Sequence, residues 1–125
     1  MNIIISNYSE QPIYEQITEQ IKDHIIKGIL READLLPSIR NLARELKISV
    51  ITTKRAYVEL EKEGFITIVP GKGCYVATQN KELLRESRIR IVEDKLVEAV
   101  NAAKSIGLSF EELMEMLKLF YEEEV

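Results

Sequence analysis

Residues 38–64 read SIRNLARELKISVITTKRAYVELEKEG, and this stretch decides the fold. Ser38 and Ser49 each precede a run of apolar residues at helical spacing, and a serine hydroxyl can accept a hydrogen bond from the unpaired N–H groups that begin a helix. We therefore expect a short helix after Ser38 and a longer one from Ser49 to about Glu63, ended by Gly64. The apolar side of the shorter helix consists of Ile39, Leu42, Ala43 and Leu46. Two short helices joined by a tight turn are the helix-turn-helix arrangement.

Upstream of this stretch, isoleucines recur every four residues, which indicates a helix rather than a strand. They are Ile13, Ile17, Ile21 and Ile25. Proline is tolerated in a first helical turn and glycine favours a helix end, so Pro12 and Gly28 bracket a predicted helix from Pro12 to Lys27.

Downstream of Gly64 the composition becomes that of strands. FITIV at 65–69 and CYV at 74–76 are rich in β-branched and aromatic residues, and the turn sequence PGKG separates them. We expect a β-hairpin at about residues 65–77 with a glycine-rich tip that carries a lysine. The predicted fold class is therefore mainly α with a small β-hairpin, a winged helix-turn-helix.

Residues 80–125 predict a helical hairpin. Apolar residues alternate at spacings of three and four from Ile89 to Ala103, Gly107 ends this helix, and Ser109 with Glu112 forms a capping box for the next. Two amphipathic helices of this length cannot bury both apolar faces alone, so we expect them to pack on the N-terminal domain or on a second copy. A dimer is the simpler of these alternatives.

The predicted organisation has three parts. Residues 1–10 form an N-terminal extension, 11–79 a winged helix-turn-helix domain with its helix-turn-helix at about 38–58, and 80–125 a dimerisation hairpin.

Composition excludes several function classes. The 125 residues are 46% hydrophobic and 30% charged, as in an ordinary globular protein, and no apolar run approaches the roughly 20 residues of a membrane span. No secretory signal is recognisable, so a cytoplasmic protein is expected. With Cys74 and His24 as the single cysteine and histidine, neither a disulfide nor a His/Cys zinc cluster fits within the chain. We expect no catalytic residues, no cofactor and no metal, and therefore no enzyme.

The net charge of −4 at first argues against a nucleic-acid partner. Residues 1–79, however, contain 10 basic and 10 acidic residues, whereas residues 80–125 contain 7 basic and 11 acidic ones. The predicted hairpin therefore carries the whole excess of negative charge. Residues 38–58 contain five basic residues and one acidic residue, which gives a local charge of +4. The basic residues are Arg40, Arg44, Lys47, Lys54 and Arg55, and the acidic one is Glu45. Because salt screens distant charges, this local balance matters for phosphate attraction.

Helical spacing divides the predicted third helix into two faces. Ser49, Val50 and Lys54, with Val58, form an outer face suited to a major groove, and the inner face toward the other helices consists of Thr53, Ala56, Tyr57 and Leu60. Lys72 at the hairpin tip is placed to reach a neighbouring phosphate or the minor groove. For any one of these basic residues alone, a solvated surface charge is the alternative.

The motifs LPS-x-R-x-LA, RAY-x-x-LE-x-EG and G-x-G-x-x-V resemble the GntR family of bacterial transcription regulators over most of residues 11–77. The short helical end looks like the YtrA subfamily, in which such a hairpin makes the dimer. The resemblance implies a homodimeric repressor of an inverted-repeat operator and control of an ABC-transporter operon. It also implies DNA contacts at nine positions: Arg40, Ser49, Val50, Ile51, Thr52, Lys54, Pro70, Gly71 and Lys72.

Three departures from the family pattern leave alternatives open. Val50 and Ile51 stand where the family often has basic or polar residues, so they either touch thymine methyl groups or indicate weaker or shifted base reading. Lys47 replaces the usual turn glycine, and Glu32-Ala33-Asp34 replaces Pro-Gly-Asp. The alternative function is a winged-helix module that binds another protein without strong DNA binding. Whether a small-molecule effector acts on the chain is left open.

Overall fold

A computed structural model describes residues 1–123 of the chain, so the last two residues of the predicted hairpin range, 124 and 125, lie outside the described part. The described chain divides into two units, Met1–Arg85 and a second that begins at Glu86. The helices and strands in chain order are α1 (Ile13–Ile26), β1 (Leu35–Leu36), α2 (Ile39–Leu46), α3 (Val50–Lys62), β2 (Ile66–Val69), β3 (Gly73–Val76), α4 (Lys81–Ser105) and α5 (Phe110–Glu122). No helix in this described range is long and apolar enough to cross a membrane.

The predicted fold class is confirmed, and the wing has one strand more than the hairpin that was expected. β2 and β3 pair antiparallel, with Ile66 opposite Val76, and β1 adds to the other side of β3, with Leu36 opposite Cys74. No strand is predicted from the sequence at Leu35 and Leu36, so β1 is an addition to the expected hairpin. Two residues are too few to show strand alternation, and their partner lies some forty residues further along the chain.

The core of the first unit lies between α1, α3 and the sheet. Ile17, Ile21 and Ile25 supply the buried face of α1, as their four-residue spacing predicts. From α3, Tyr57 enters this core fully buried, and its hydroxyl donates a 2.7 Å hydrogen bond to the Pro37 carbonyl before α2. Burial raises the pKa of the Tyr57 phenol, so the hydroxyl keeps the proton that it donates.

The two serine caps are confirmed. Ser38 Oγ accepts from Asn41 N and Ser49 Oγ accepts from Thr52 N, each at 3.1 Å. Lys47, in place of the family's turn glycine, adopts the left-handed conformation with φ 56° and ψ 46°. The turn between α2 and α3 therefore keeps a conformation that glycine usually supplies.

Residues 1–10 are held against α1 by two glutamine side chains. Gln20 accepts from Ile4 N at 2.9 Å and donates to Ile4 O at 2.7 Å, and Gln16 makes the equivalent pair with Ser6 at 2.9 and 3.0 Å. Each side-chain amide thus donates to and accepts from the backbone of one residue, as the backbone of a neighbouring strand does. Ile3 of the same segment is buried in the core.

The loop before β1 contains a strained alanine. Ala33 has φ 68°, a conformation that costs an L-residue roughly 1–2 kcal/mol. Backbone hydrogen bonds hold it there: Ala33 N donates to Val76 O and Val76 N donates to Asp34 O, both at 2.9 Å. The loop therefore keeps a conformation that suits a glycine, although the family's glycine is absent here.

We predict that Ala33→Gly raises the free energy of unfolding by about 0.5–1 kcal/mol, because relief of strain exceeds the roughly 0.4–1 kcal/mol that glycine's greater freedom in the unfolded chain costs. Urea denaturation at one fixed protein concentration measures the change. Gly64→Ala is the reverse control, since Gly64 has φ +84° with open space around it, and it should lower stability by a similar amount. A destabilised Ala33→Gly protein would contradict the assignment of strain.

Candidate nucleic-acid interface

The α3 helix has a buried face and an exposed face, as its spacing predicts. The buried residues are Thr53, Ala56, Tyr57 and Leu60. On the exposed face, Val50 and Ile51 begin the helix with 47% and 82% of their surface accessible, and Lys54 follows one turn later. Packing of the inner face therefore fixes which side chains this helix presents outward.

Most polar side chains of the first α3 turn are occupied in capping. Ser49 Oγ accepts from Thr52 N and donates to Thr52 Oγ1 at 2.7 Å. Thr53 is buried and its hydroxyl donates to Ser49 O at 3.0 Å. Thr52, which is partly buried, keeps one hydroxyl hydrogen for an outside acceptor.

Arg40 and Lys54 are exposed cations on neighbouring helices. Arg40 lies in the first turn of α2, directly after the Ser38 cap and Ile39, and Lys54 lies in the second turn of α3. Within residues 1–123, neither forms an ion pair, and the same holds for Lys72. All three positive charges are therefore available to an external anion.

The wing tip exposes Pro70, Gly71 and Lys72. Lys72 N donates to Val69 O at 3.0 Å, and the Tyr75 hydroxyl donates to Lys72 O at 3.2 Å, so backbone and side chain both hold the turn. Gly71 occupies the third position of this hydrogen-bonded turn with φ 73°, a conformation that favours glycine.

A carboxylate joins the wing to α3. Glu61 Oε2 accepts from Ile68 N at 2.7 Å, on the β2 backbone. Sequence reasoning missed this contact because Glu61 looks like one more solvated charge in an acidic run, and no local pattern distinguishes it.

Arg55 is exposed, but unlike Arg40 and Lys54 it makes a contact with another helix. Its guanidinium lies 3.8 Å from the centre of the Tyr14 ring on α1, a cation–π arrangement. The local charge of +4 includes Arg55, which differs from Arg40 and Lys54 in that its guanidinium stacks on a ring of α1. Helical spacing alone does not predict this contact, because Tyr14 lies on α1, 41 positions before Arg55.

Several acidic residues of the first unit lie close together near the C-terminal end of α3. Glu59 and Glu63 line a polar cleft together with Glu15, Glu19 and Lys22 of α1, and Lys22 pairs with Glu63. At 1.5 Å per residue, Glu63 lies roughly 20 Å along the helix from Val50, beyond a Debye length of about 8–10 Å. The Glu63 carboxylate therefore has little effect on the field at the exposed start of α3.

Comparison with known proteins agrees with this geometry. The sequence model of the family described as bacterial regulatory proteins, gntR family, matches residues 13–76. The HTH-type transcriptional repressor YtrA of Bacillus subtilis (strain 168) is 37% identical over 116 residues, which are 93% of this chain and 89% of that protein. The chain is thus similar to a repressor over nearly the full length of both.

Solved structures show the same fold. YtrA from Sulfolobus acidocaldarius, a GntR-family transcription factor, superposes with a TM-score of 0.59 at 39% identity, over 73% of this chain and 97% of the other. AraR(DBD), solved in complex with operator ORE1, superposes with a TM-score of 0.52 at 25% identity, over 62% of this chain and 94% of that one. These relatives regulate transcription, which favours a function other than catalysis.

We predict that Gly73→Ala damages the wing more than Gly71→Ala does. Gly73 has φ +132°, and a Cβ there would lie 3.1 Å from Leu35 Cδ1, whereas the space around Gly71 is open. Gly71→Ala should cost about 1 kcal/mol of strain, and Gly73→Ala about 2 kcal/mol because the Leu35 side chain must also move by a few tenths of an ångström. Thermal unfolding of both variants measures the difference, and equal losses would show that the Leu35 contact is unimportant.

Proposed function

The chain belongs to the GntR family of bacterial transcriptional regulators, and from this premise we propose that it is a homodimeric repressor of an inverted-repeat operator. Each protomer inserts the start of α3 into the major groove of one half-site, and the half-sites are about one helical turn apart. The observation that carries the proposal is the group of exposed, unpaired cations on α2, α3 and the wing, Arg40, Lys54 and Lys72.

The proposed contacts divide by chemistry. Arg40, Lys54 and Lys72 bind phosphates and so set the position of the domain on the duplex, because charge-assisted contacts to the backbone carry affinity rather than sequence information. Ser49, Val50, Ile51 and Thr52 face base edges at the start of α3. The exposed backbone at Pro70 and Gly71 brings the wing tip close to the neighbouring backbone or minor groove.

The exposed apolar surface of α4 and α5 supports the proposal that the chain dimerises through these two helices. No residue of α5 is buried, and Ala103 is the single buried residue of α4. An apolar groove of about 380 Å³ runs between the two helices, with Leu96, Val100, Phe110 and Leu117 among its lining residues. An exposed apolar surface of this kind marks an interaction site, and the proposed occupant is the same surface of a second copy.

Similarity to YtrA extends the proposal to the regulated genes, an ABC-transporter operon, and to a cytoplasmic location where chromosomal DNA is accessible. A small-molecule effector, if one acts on this protein, would do so by changing the separation of the two α3 helices in the dimer.

We predict that Lys54→Ala and Lys72→Ala each weaken binding to DNA from upstream of the protein's own gene. A dimer loses two phosphate contacts in either variant, so the slope of log affinity against log salt should fall by about 1.8, with a loss of roughly tenfold to a hundredfold at 0.1 M salt. Fluorescence anisotropy over a salt series measures both quantities.

Lys62→Ala is the matched control for these variants. Lys62 lies on the same helix, two turns beyond Lys54, and its removal changes the net charge equally. It should leave the salt slope nearly unchanged. If the wild-type protein shows no salt-sensitive binding at micromolar concentration, the protein-binding module is the better assignment.

We predict that Leu117→Glu dissociates the dimer. Leu117 lines the apolar groove, and an interface that buries two new carboxylates without partners should raise the dimer dissociation constant at least about a hundredfold. Lys118→Glu places the same residue at the neighbouring exposed position and should leave the dimer intact. Sedimentation velocity distinguishes monomer from dimer, circular dichroism checks that helix content is kept, and unchanged sedimentation of Leu117→Glu would contradict this interface.

A further inference from the structure

The first turn of α3 presents two aliphatic side chains to solvent. Ile51 is 82% exposed and Val50 is 47% exposed, and neither belongs to the core or packs against it. Single exposed apolar residues are common on protein surfaces, so exposure alone assigns no role. These two residues, however, begin the helix that the proposed function places in the major groove. Their exposure at this end of the helix therefore requires an explanation.

The same turn offers few polar groups for reading bases. Purines are usually recognised in the major groove by arginine, lysine, asparagine or glutamine, which form paired hydrogen bonds with base edges. None of the residues from Ser49 to Thr53 is of these types, and the hydroxyls of Ser49 and Thr53 are engaged in the cap. The side-chain surface left at this end of the helix is therefore mainly methyl and methylene groups.

Lys54 limits how this apolar surface lies against DNA. It follows Val50 by four residues and Ile51 by three, so all three side chains lie on adjoining parts of one helix surface. A lysine held at a phosphate one turn from the two aliphatic side chains brings them toward the edges of the bases beside that phosphate.

On the major-groove edges of the four base pairs, the apolar group is the C5 methyl of thymine. We infer that Val50 and Ile51 recognise thymine by packing against this methyl group, so that each operator half-site carries thymine where the start of α3 meets the bases. This inference rests on the proposed function, and it names the base that the α3 helix selects.

The test uses the full-length chain and DNA selected from a random-sequence duplex pool. The selected duplex is compared with duplexes in which deoxyuridine replaces thymidine, one half-site position at a time. Uracil pairs as thymine does and lacks only the C5 methyl. At the contacted position, we expect the wild-type protein to lose about threefold to fivefold in affinity for each methyl removed, or about tenfold to twenty-fivefold when both half-sites are changed.

The protein variants assign that loss to residues. In the double variant Val50→Ala with Ile51→Ala, the two truncated side chains no longer reach the base, so thymine and uracil should bind equally. Ile29→Ala is the matched control, since Ile29 is an aliphatic residue, 62% exposed, that follows α1 and lies outside the proposed DNA contacts. It should keep the full preference for thymine. Both sets of residues are exposed, and helix content from circular dichroism verifies that each variant is folded.

The outcomes separate this inference from the proposed function. Enrichment of a sequence that tolerates uracil at every position would overturn thymine reading and leave the repressor assignment intact. A uracil penalty that persists in the double variant would overturn the assignment to Val50 and Ile51. Failure to enrich any sequence would overturn the proposed function as well.

Discussion

Tyr57 is fully buried in α3, and its hydroxyl donates to the Pro37 carbonyl just before the α2 cap. This single side chain has to satisfy two conditions, because its ring must be excluded from water and its hydroxyl must keep a partner. The buried ring and its hydrogen bond together set the rotation of α3 about its axis. The hydrogen bond also connects the middle of α3 to the residue before the Ser38 cap of α2. Once that rotation is set, Ile51 lies on the side of α3 away from the buried residues and is 82% exposed. Val50, the first residue of the helix, is 47% exposed, and Lys54 is also exposed.

The distribution of charge follows from the same arrangement. Arg55, which has the ring of Tyr14 beneath it, is drawn to α1, while Arg40 and Lys54 have no carboxylate partner within residues 1–123. The acidic residues of α1 and α3 meet further along, around Lys22. An acidic chain can therefore present a positive surface to DNA, because at physiological salt a phosphate responds to the charges within about 10 Å of it.

The two units differ in how much of their apolar surface is buried. The first contains three helices and a sheet around one core, to which even the N-terminal residues contribute through Ile3. The second consists of helices whose apolar residues remain largely accessible, so its stability depends on apolar surface supplied from outside its own two helices. The self-contained core and the exposed apolar surface therefore lie in different units of the chain.

Local patterns in the sequence determined the helices, their serine caps, the strands β2 and β3, and the buried face of α3, because each depends on residues within a few positions of one another. The resemblance to the GntR family added the candidate DNA contacts. Tertiary structure alone decided that Leu35 and Leu36 form a third strand, that Gln16 and Gln20 hold the N-terminal residues, that Glu61 anchors the wing, and that Arg55 stacks on Tyr14. Each of these contacts depends on how the elements pack, joining residues separated by 7 to about 41 positions along the chain, and neither helical nor strand periodicity identifies partners across such separations.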